Sequence, residues 1–106
     1  MNGVLANAAL AATTYTSIYG PPSNTFSVVT VSIVNKNTTA IQVRLAVAVN
    51  PNIPANGNYL EYNAEILPGG VLERTGIVIQ NGRTIYAYST QTNTDVVVYG
   101  IETSTV

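Results

Sequence analysis

A chain of 106 residues, 46% of them hydrophobic, is one domain that can close a single core without disulfides or a structural metal. Only 8% is charged, against roughly 25% in an average soluble domain, and the net charge is −1. The four cations (Lys36, Arg44, Arg74, Arg83) are too scattered to grip phosphates, there is no cysteine, and no apolar run reaches the ~20 residues of a membrane helix, so nucleic-acid binding, thiolate metal sites and a spanning helix are all unexpected.

Residues 1–9 are weakly apolar and uncharged. Val4 to Ala12 has alanine propensity for two turns of helix, but so short a helix is marginal in water. We read residues 1–9 as an N-terminal arm whose conformation depends on what it touches, and 10–106 as the domain. No Lys or Arg precedes Lys36, so the basic region of a signal peptide is missing, and synthesis of an unprocessed chain in the cytoplasm is expected.

Leu10 to Tyr19 is rich in Thr, Tyr and Ile and reads as strand until Gly20-Pro21-Pro22 ends it. Phe26 to Val34 places Val29, Val31 and Ile33 on one face. After the polar turn Asn35–Thr39, Ile41 to Val49 alternates, with Ala46 and Ala48 leaving a flat outer face as if something covers it. Asn50 to Asn58 is rich in turn formers and long enough to suggest a crossing between sheets. Tyr59 to Leu67 is the next strand. Pro68-Gly69-Gly70 is a turn, and Val71 to Ile79, Asn81-Gly82 and Thr84 to Thr90 read as a β-hairpin, since Asn-Gly suits a type I′ turn. Asp95 to Glu102 is apolar on both faces, which suits a central or covered strand. Seven strands with turns every eight to twelve residues predict an all-β fold: an immunoglobulin-like antiparallel β-sandwich, with a jelly roll as the alternative.

Catalytic chemistry is scarce. There is no histidine to act as a general base. Glu61 and Glu65 stand ~13 Å apart along a strand at about 3.3 Å per residue, beyond glycosidase spacing. No Asp-rich loop suits calcium, and no serine sits in a nucleophile elbow. We expect no enzyme, no catalytic residues, no metal and no cofactor. Asn37-Thr38-Thr39 matches a glycosylation acceptor, with no secretion signal to support it. Seven tyrosines against one phenylalanine and no tryptophan point instead to interfaces, because tyrosine buries a ring and keeps a polar tip. Val4, Leu5, Leu10, Tyr15, Ile18 and Tyr19 are the side chains expected against a partner. A surface so poor in charge is weakly protected from association, which suits life in an assembly.

Four stretches carry a resemblance. They are Leu10-Ala11-Ala12-Thr13-Thr14-Tyr15-Thr16, Val31-Ser32-Ile33-Val34-Asn35-Lys36-Asn37, Gly70-Val71-Leu72-Glu73-Arg74-Thr75-Gly76 and Val97-Val98-Tyr99-Gly100-Ile101-Glu102. In this order and spacing the chain resembles small β-sandwich virion proteins of tailed bacteriophages. The resemblance implies a non-enzymatic structural role, foremost as a capsid decoration (cement) protein made in the host cytoplasm and located in the virion. Its partners would be the major capsid protein, copies of itself as a trimer or dimer, or both, with neither nucleic acid nor membrane. The alternative is a tail or fibre accessory, or a carbohydrate- or receptor-binding module in which Tyr59, Tyr62, Tyr86 and Tyr88 stack on sugars.

Overall fold

Two stretches that alternate without a break, Phe26–Val34 and Ile41–Val49, make one strand in each of two facing sheets, and the remaining elements assemble beside them. In the computed structural model, which describes residues 2–49 and 57–105, the strands are β1 (Asn2–Leu10), β2 (Thr16–Tyr19), β3 (Thr25–Asn35), β4 (Ile41–Val49), β5 (Tyr59–Ile66), β6 (Val71–Gln80), β7 (Arg83–Ser89) and β8 (Thr94–Ser104). No helix occurs among the described residues. One sheet has the order β1-β8-β3-β6 and the other β2-β7-β4-β5, with antiparallel neighbours throughout.

The chain is therefore an antiparallel β-sandwich as expected, with eight strands rather than seven. Its strand order selects the jelly roll: an immunoglobulin domain pairs its first two strands, whereas here β1 pairs with β8 and β2 with β7. The added strand is β1. Residues 2–10 lie along β8 from Asn2↔Ile101 to Leu10↔Thr94, so the segment read as an arm is the edge strand of the domain's own sheet. Pairing with an apolar neighbour overrides the weak helical propensity of its alanines.

Two connections behave opposite to expectation. Asn81-Gly82 does not close a hairpin, because β6 pairs with β3 and β7 with β2 and β4. It is a tight corner from one sheet to the other, held by Asn81 N to Thr25 O at 3.2 Å and Asn81 Nδ2 to Pro21 O at 3.0 Å. β4 and β5, expected to be separated by a crossing, are hydrogen-bonded neighbours and, among the described residues, the only strands adjacent in sequence that pair. Most of the loop between them lies outside the described residues.

The core lies between the inward rows. Val29, Val31 and Ile33 of β3 and Val96 and Val98 of β8 face Val43 and Leu45 of β4 and Ile85 and Ala87 of β7, all of them buried. Each such aliphatic side chain contributes roughly 1.5–3 kcal/mol of transfer free energy when buried. β8 is central, flanked by β1 and β3, as its two apolar faces suggested.

Tyr19 ties the two sheets together. From β2 its hydroxyl reaches Ser27 Oγ on β3 at 2.7 Å and donates to Glu102 Oε2 on β8 at 2.6 Å. Burial, followed by the bond to Glu102, pushes this phenol up to about 12. Tyr19→Phe is expected to cost about 2–4 kcal/mol, since it removes one neutral and one charge-assisted bond while keeping the ring. The folded value lies above the ~10 of an unfolded tyrosine, so this contribution is complete below pH 10 and fades as the pH rises towards 12. Urea unfolding of both proteins across that window checks it, with the gap between them closing at the alkaline end.

Candidate functional site

Strand β4 sends Arg44, Ala46 and Ala48 to the outer face of its sheet. Ala46 is paired with Tyr86 on one side and Tyr59 on the other, so a small side chain sits between two large rings. Both alanines are buried, which answers the flat face read from the sequence. Arg44 is opposite Tyr88 on β7. On β5 the register slips between Val43↔Ala64 and Leu45↔Glu61, leaving one residue extra in that strand. The residues of this bulge, Tyr62 and Asn63, oppose Arg44, and both touch it. Asn63 has φ 53°, a left-handed conformation that asparagine tolerates better than most residues.

Arg44 is the hub. Its guanidinium carbon lies 4.4 Å from the Tyr62 ring centroid and 4.5 Å from that of Tyr88. Nε donates to Asn63 Oδ1 at 2.8 Å and Nη1 to the Tyr15 hydroxyl at 2.9 Å. Tyr15 packs on Tyr88 at 4.9 Å between centroids and shares a hydroxyl hydrogen bond with Tyr59, whose ring meets Tyr62 edge-on at 4.8 Å. Burial pushes the Tyr15 phenol up, but its bonds to Tyr59 and Arg44 and the guanidinium charge together bring it below the ordinary value. The bond to Tyr15 and then burial push the Tyr59 phenol up. Arg44 itself is raised, chiefly by its bond to Tyr15. Among the described residues no carboxylate pairs with Arg44. Glu61 is held by Arg74 at 2.6 Å and Asp95 by Lys36 at 3.1 Å.

The outer face of the other sheet is of a different kind. Val28 on β3 lies between Ile101 on β8 and Val78 on β6; Val4 pairs with Tyr99 in the next row, and Val34 with Val71. Val78 is 69% exposed, Val4 and Val71 55% each and Ile101 49%. An alternating strand normally turns polar residues to water. Here apolar side chains span all four strands, with Glu73 bonded to the Tyr99 hydroxyl at 3.0 Å and the Lys36–Asp95 pair beside them.

The six side chains expected against a partner are divided by this geometry. Leu10 and Tyr19 are buried in the chain's own core, and Leu5 and Ile18 are partly buried against it. Val4 alone lies on the apolar outer face, and Tyr15 lies in the Arg44 cluster on the opposite side. Val4 faces away from Leu10 because of the β1 bulge between Val4 and Ala6, which reverses that strand's facing part-way along. Of the four rings suggested for sugar stacking, Tyr62 is the most open at 57% exposure and Tyr86 is buried. Sequence reasoning missed Arg44. The available signal was an outward-facing cation on a strand whose next outward residues are alanines. Among the described residues no group of three or more His, Cys, Asp or Glu side chains could hold a metal ion. Compared with known proteins, the chain matches no protein-family model and no curated sequence.

Proposed function

We propose that the chain is a non-enzymatic structural protein of a virion, a capsid decoration protein that lies on the shell through the outer face of the β1-β8-β3-β6 sheet. The observation that carries this reading is that face itself, apolar from Val4 on one edge strand to Val78 on the other. A large exposed apolar patch marks an interaction surface. The eight-stranded jelly roll is also an architecture used by viral capsid and lectin domains. The resemblance to small phage virion proteins supplies the particular setting, with the major capsid protein and further copies of this chain as partners.

The energetics favour many copies over one. Val4, Val71, Val78 and Ile101 are about half to two-thirds exposed, so burying what remains would contribute ~3–7 kcal/mol gross, on a scale of roughly 1.5–3 kcal/mol per fully exposed side chain. Association costs about 4–15 kcal/mol in lost freedom. A single copy is then weakly held, and a dimer or trimer gripping several shell subunits is held by avidity.

Electron microscopy of the intact particle tests the proposal, with density for the domain expected at many equivalent positions over the shell. Val78→Asp together with Ile101→Asp is expected to lower incorporation at least about tenfold, and urea unfolding of the variant separates this loss from a loss of stability, since Ile101 is half-buried on the central strand. Location at a few copies on a tail or fibre, or undiminished incorporation of the double variant, would overturn the assignment.

A further inference from the structure

We propose that the Arg44–tyrosine cluster is a second binding site, on the sheet face opposite the apolar one, and that it takes the carboxylate of an acidic sugar. The proposal goes beyond the role of the apolar face and does not depend on it.

The cluster has the features of a preorganised recognition group. A guanidinium carries five N–H donors in one plane. Two contacts hold it in the structure, from Nε to Asn63 and from Nη1 to Tyr15. Tyr62 and Tyr88 pack on it, at 4.4 and 4.5 Å. With Tyr62 and Tyr88 both packed within 4.5 Å of it and with Nε and Nη1 each making a bond, Arg44 is already held, so it loses little freedom when an anion arrives at its remaining Nη donors. The donors still open suit a carboxylate, which accepts paired N–H bonds from arginine. Among the described residues no acidic side chain already satisfies that charge; Glu61, on the same strand as Tyr62, is engaged by Arg74 of the other sheet.

The surroundings favour a sugar over an acidic peptide. One cation is framed by Tyr15, Tyr59, Tyr62 and Tyr88, so the site offers a single charge within a wall of phenols. Ring faces suit the C–H faces of a pyranose, and phenol hydroxyls suit its hydroxyl groups. Asn63 adds a second line of support. A non-glycine residue in the left-handed region has a cost in strain, and such positions collect where a side chain must be aimed. Here the bulge aims the Asn63 carboxamide at Arg44 Nε.

Titration of the whole chain with trigalacturonate, followed through its tyrosine ring resonances, tests the proposal. Binding should shift the rings of Tyr62 and Tyr88 selectively, and the fully methyl-esterified trisaccharide should bind at least about tenfold more weakly because its carboxylates are masked. Arg44→Gln should weaken binding by a similar factor. Tyr62→Ala, at a 57% exposed position that leaves the core untouched, should also weaken it and keeps the test decisive should Arg44→Gln fold poorly. A triglutamate peptide that binds as tightly as trigalacturonate would overturn the sugar assignment. No binding of trigalacturonate, or binding unaffected by Tyr62→Ala, would overturn the site.

Discussion

Gly100→Ala should leave almost no folded protein. A Cβ at this position would stand 2.1 Å from the Val28 carbonyl oxygen and 2.8 Å from the Val29 Cα. Both atoms are backbone of β3, so neither can swing aside as a side-chain tip would. Nor can β8 retreat, because β1 is paired along its other edge. The clash can be relieved only by separating β8 from β3, along a ladder that runs from Asn35↔Thr94 to Thr25↔Ser104. We expect a loss above about 4 kcal/mol, in the rare tail of single substitutions and comparable with the 5–15 kcal/mol that typically holds a domain together. Gly69→Ala is the matched control. Nothing lies within 4 Å of its would-be Cβ, and only its φ of 72° is strained, so the cost should be about 1–2 kcal/mol. Soluble yield and urea unfolding of the two variants separate a clash from ordinary backbone strain.

The second large effect is expected at Asn35, which is fully buried at the end of β3. Its Nδ2 donates to the carbonyls of Thr39, Ile66 and Leu67 at 2.9, 3.0 and 3.3 Å, and its Oδ1 accepts from Asn37 N at 2.9 Å. The carboxamide thereby fastens the β3–β4 turn to the β5–β6 turn. Asn35→Ala takes this donor from the Thr39 and Ile66 carbonyls, whereas Leu67 O keeps Gly70 N at 2.8 Å, so at about 1–3 kcal/mol for each group left without a partner the cost is roughly 2–6 kcal/mol. Asn35→Asp keeps the shape but turns an acceptor towards carbonyl oxygens. That carboxyl is favoured in its protonated, donating form, so its folded pKa lies above the unfolded value of ~3.9. The aspartate variant should therefore be nearest to the parent at acid pH and lose ground as the pH rises towards 7. Urea midpoints of the three proteins at both ends of that range give the comparison.

How far such positions could be foreseen varies with how local their causes are. Val29, Val31 and Ile33, and Val43 and Leu45, were legible as core because period-two alternation records which face meets water. Val96 to Tyr99 told of a central strand by being apolar on both faces. Asn81-Gly82 misled because turn chemistry specifies two pairs of backbone angles and says nothing of which strands then pair. The same two residues serve a hairpin or a sheet-to-sheet corner. Residues 2–10 misled because alanine propensity is worth tenths of a kcal/mol, and a ladder with β8, distant in sequence, outweighs it. The Arg44 cluster draws Tyr15, Tyr59, Tyr62 and Tyr88 from separate segments, and no window of sequence contains them together.

The strand order also dictates when the molecule can exist at all. Among the described residues β4 and β5 are the only paired strands that leave the ribosome one directly after the other; β3 waits for β6, and β2 and the other edge of β4 wait for β7. The last of the eight strands to emerge, β8, is the one that β1 and β3 both require. Until then one sheet consists of the isolated β1 and the ladder of β3 with β6, each with an open edge, and half of the core has no lid. Open edges and uncovered apolar rows invite pairing with other chains, and a sequence with 8% charged residues has little repulsion to prevent it. Nascent chains stalled before Thr94 should therefore aggregate or occupy chaperones, whereas chains extended past Ser104 close within themselves.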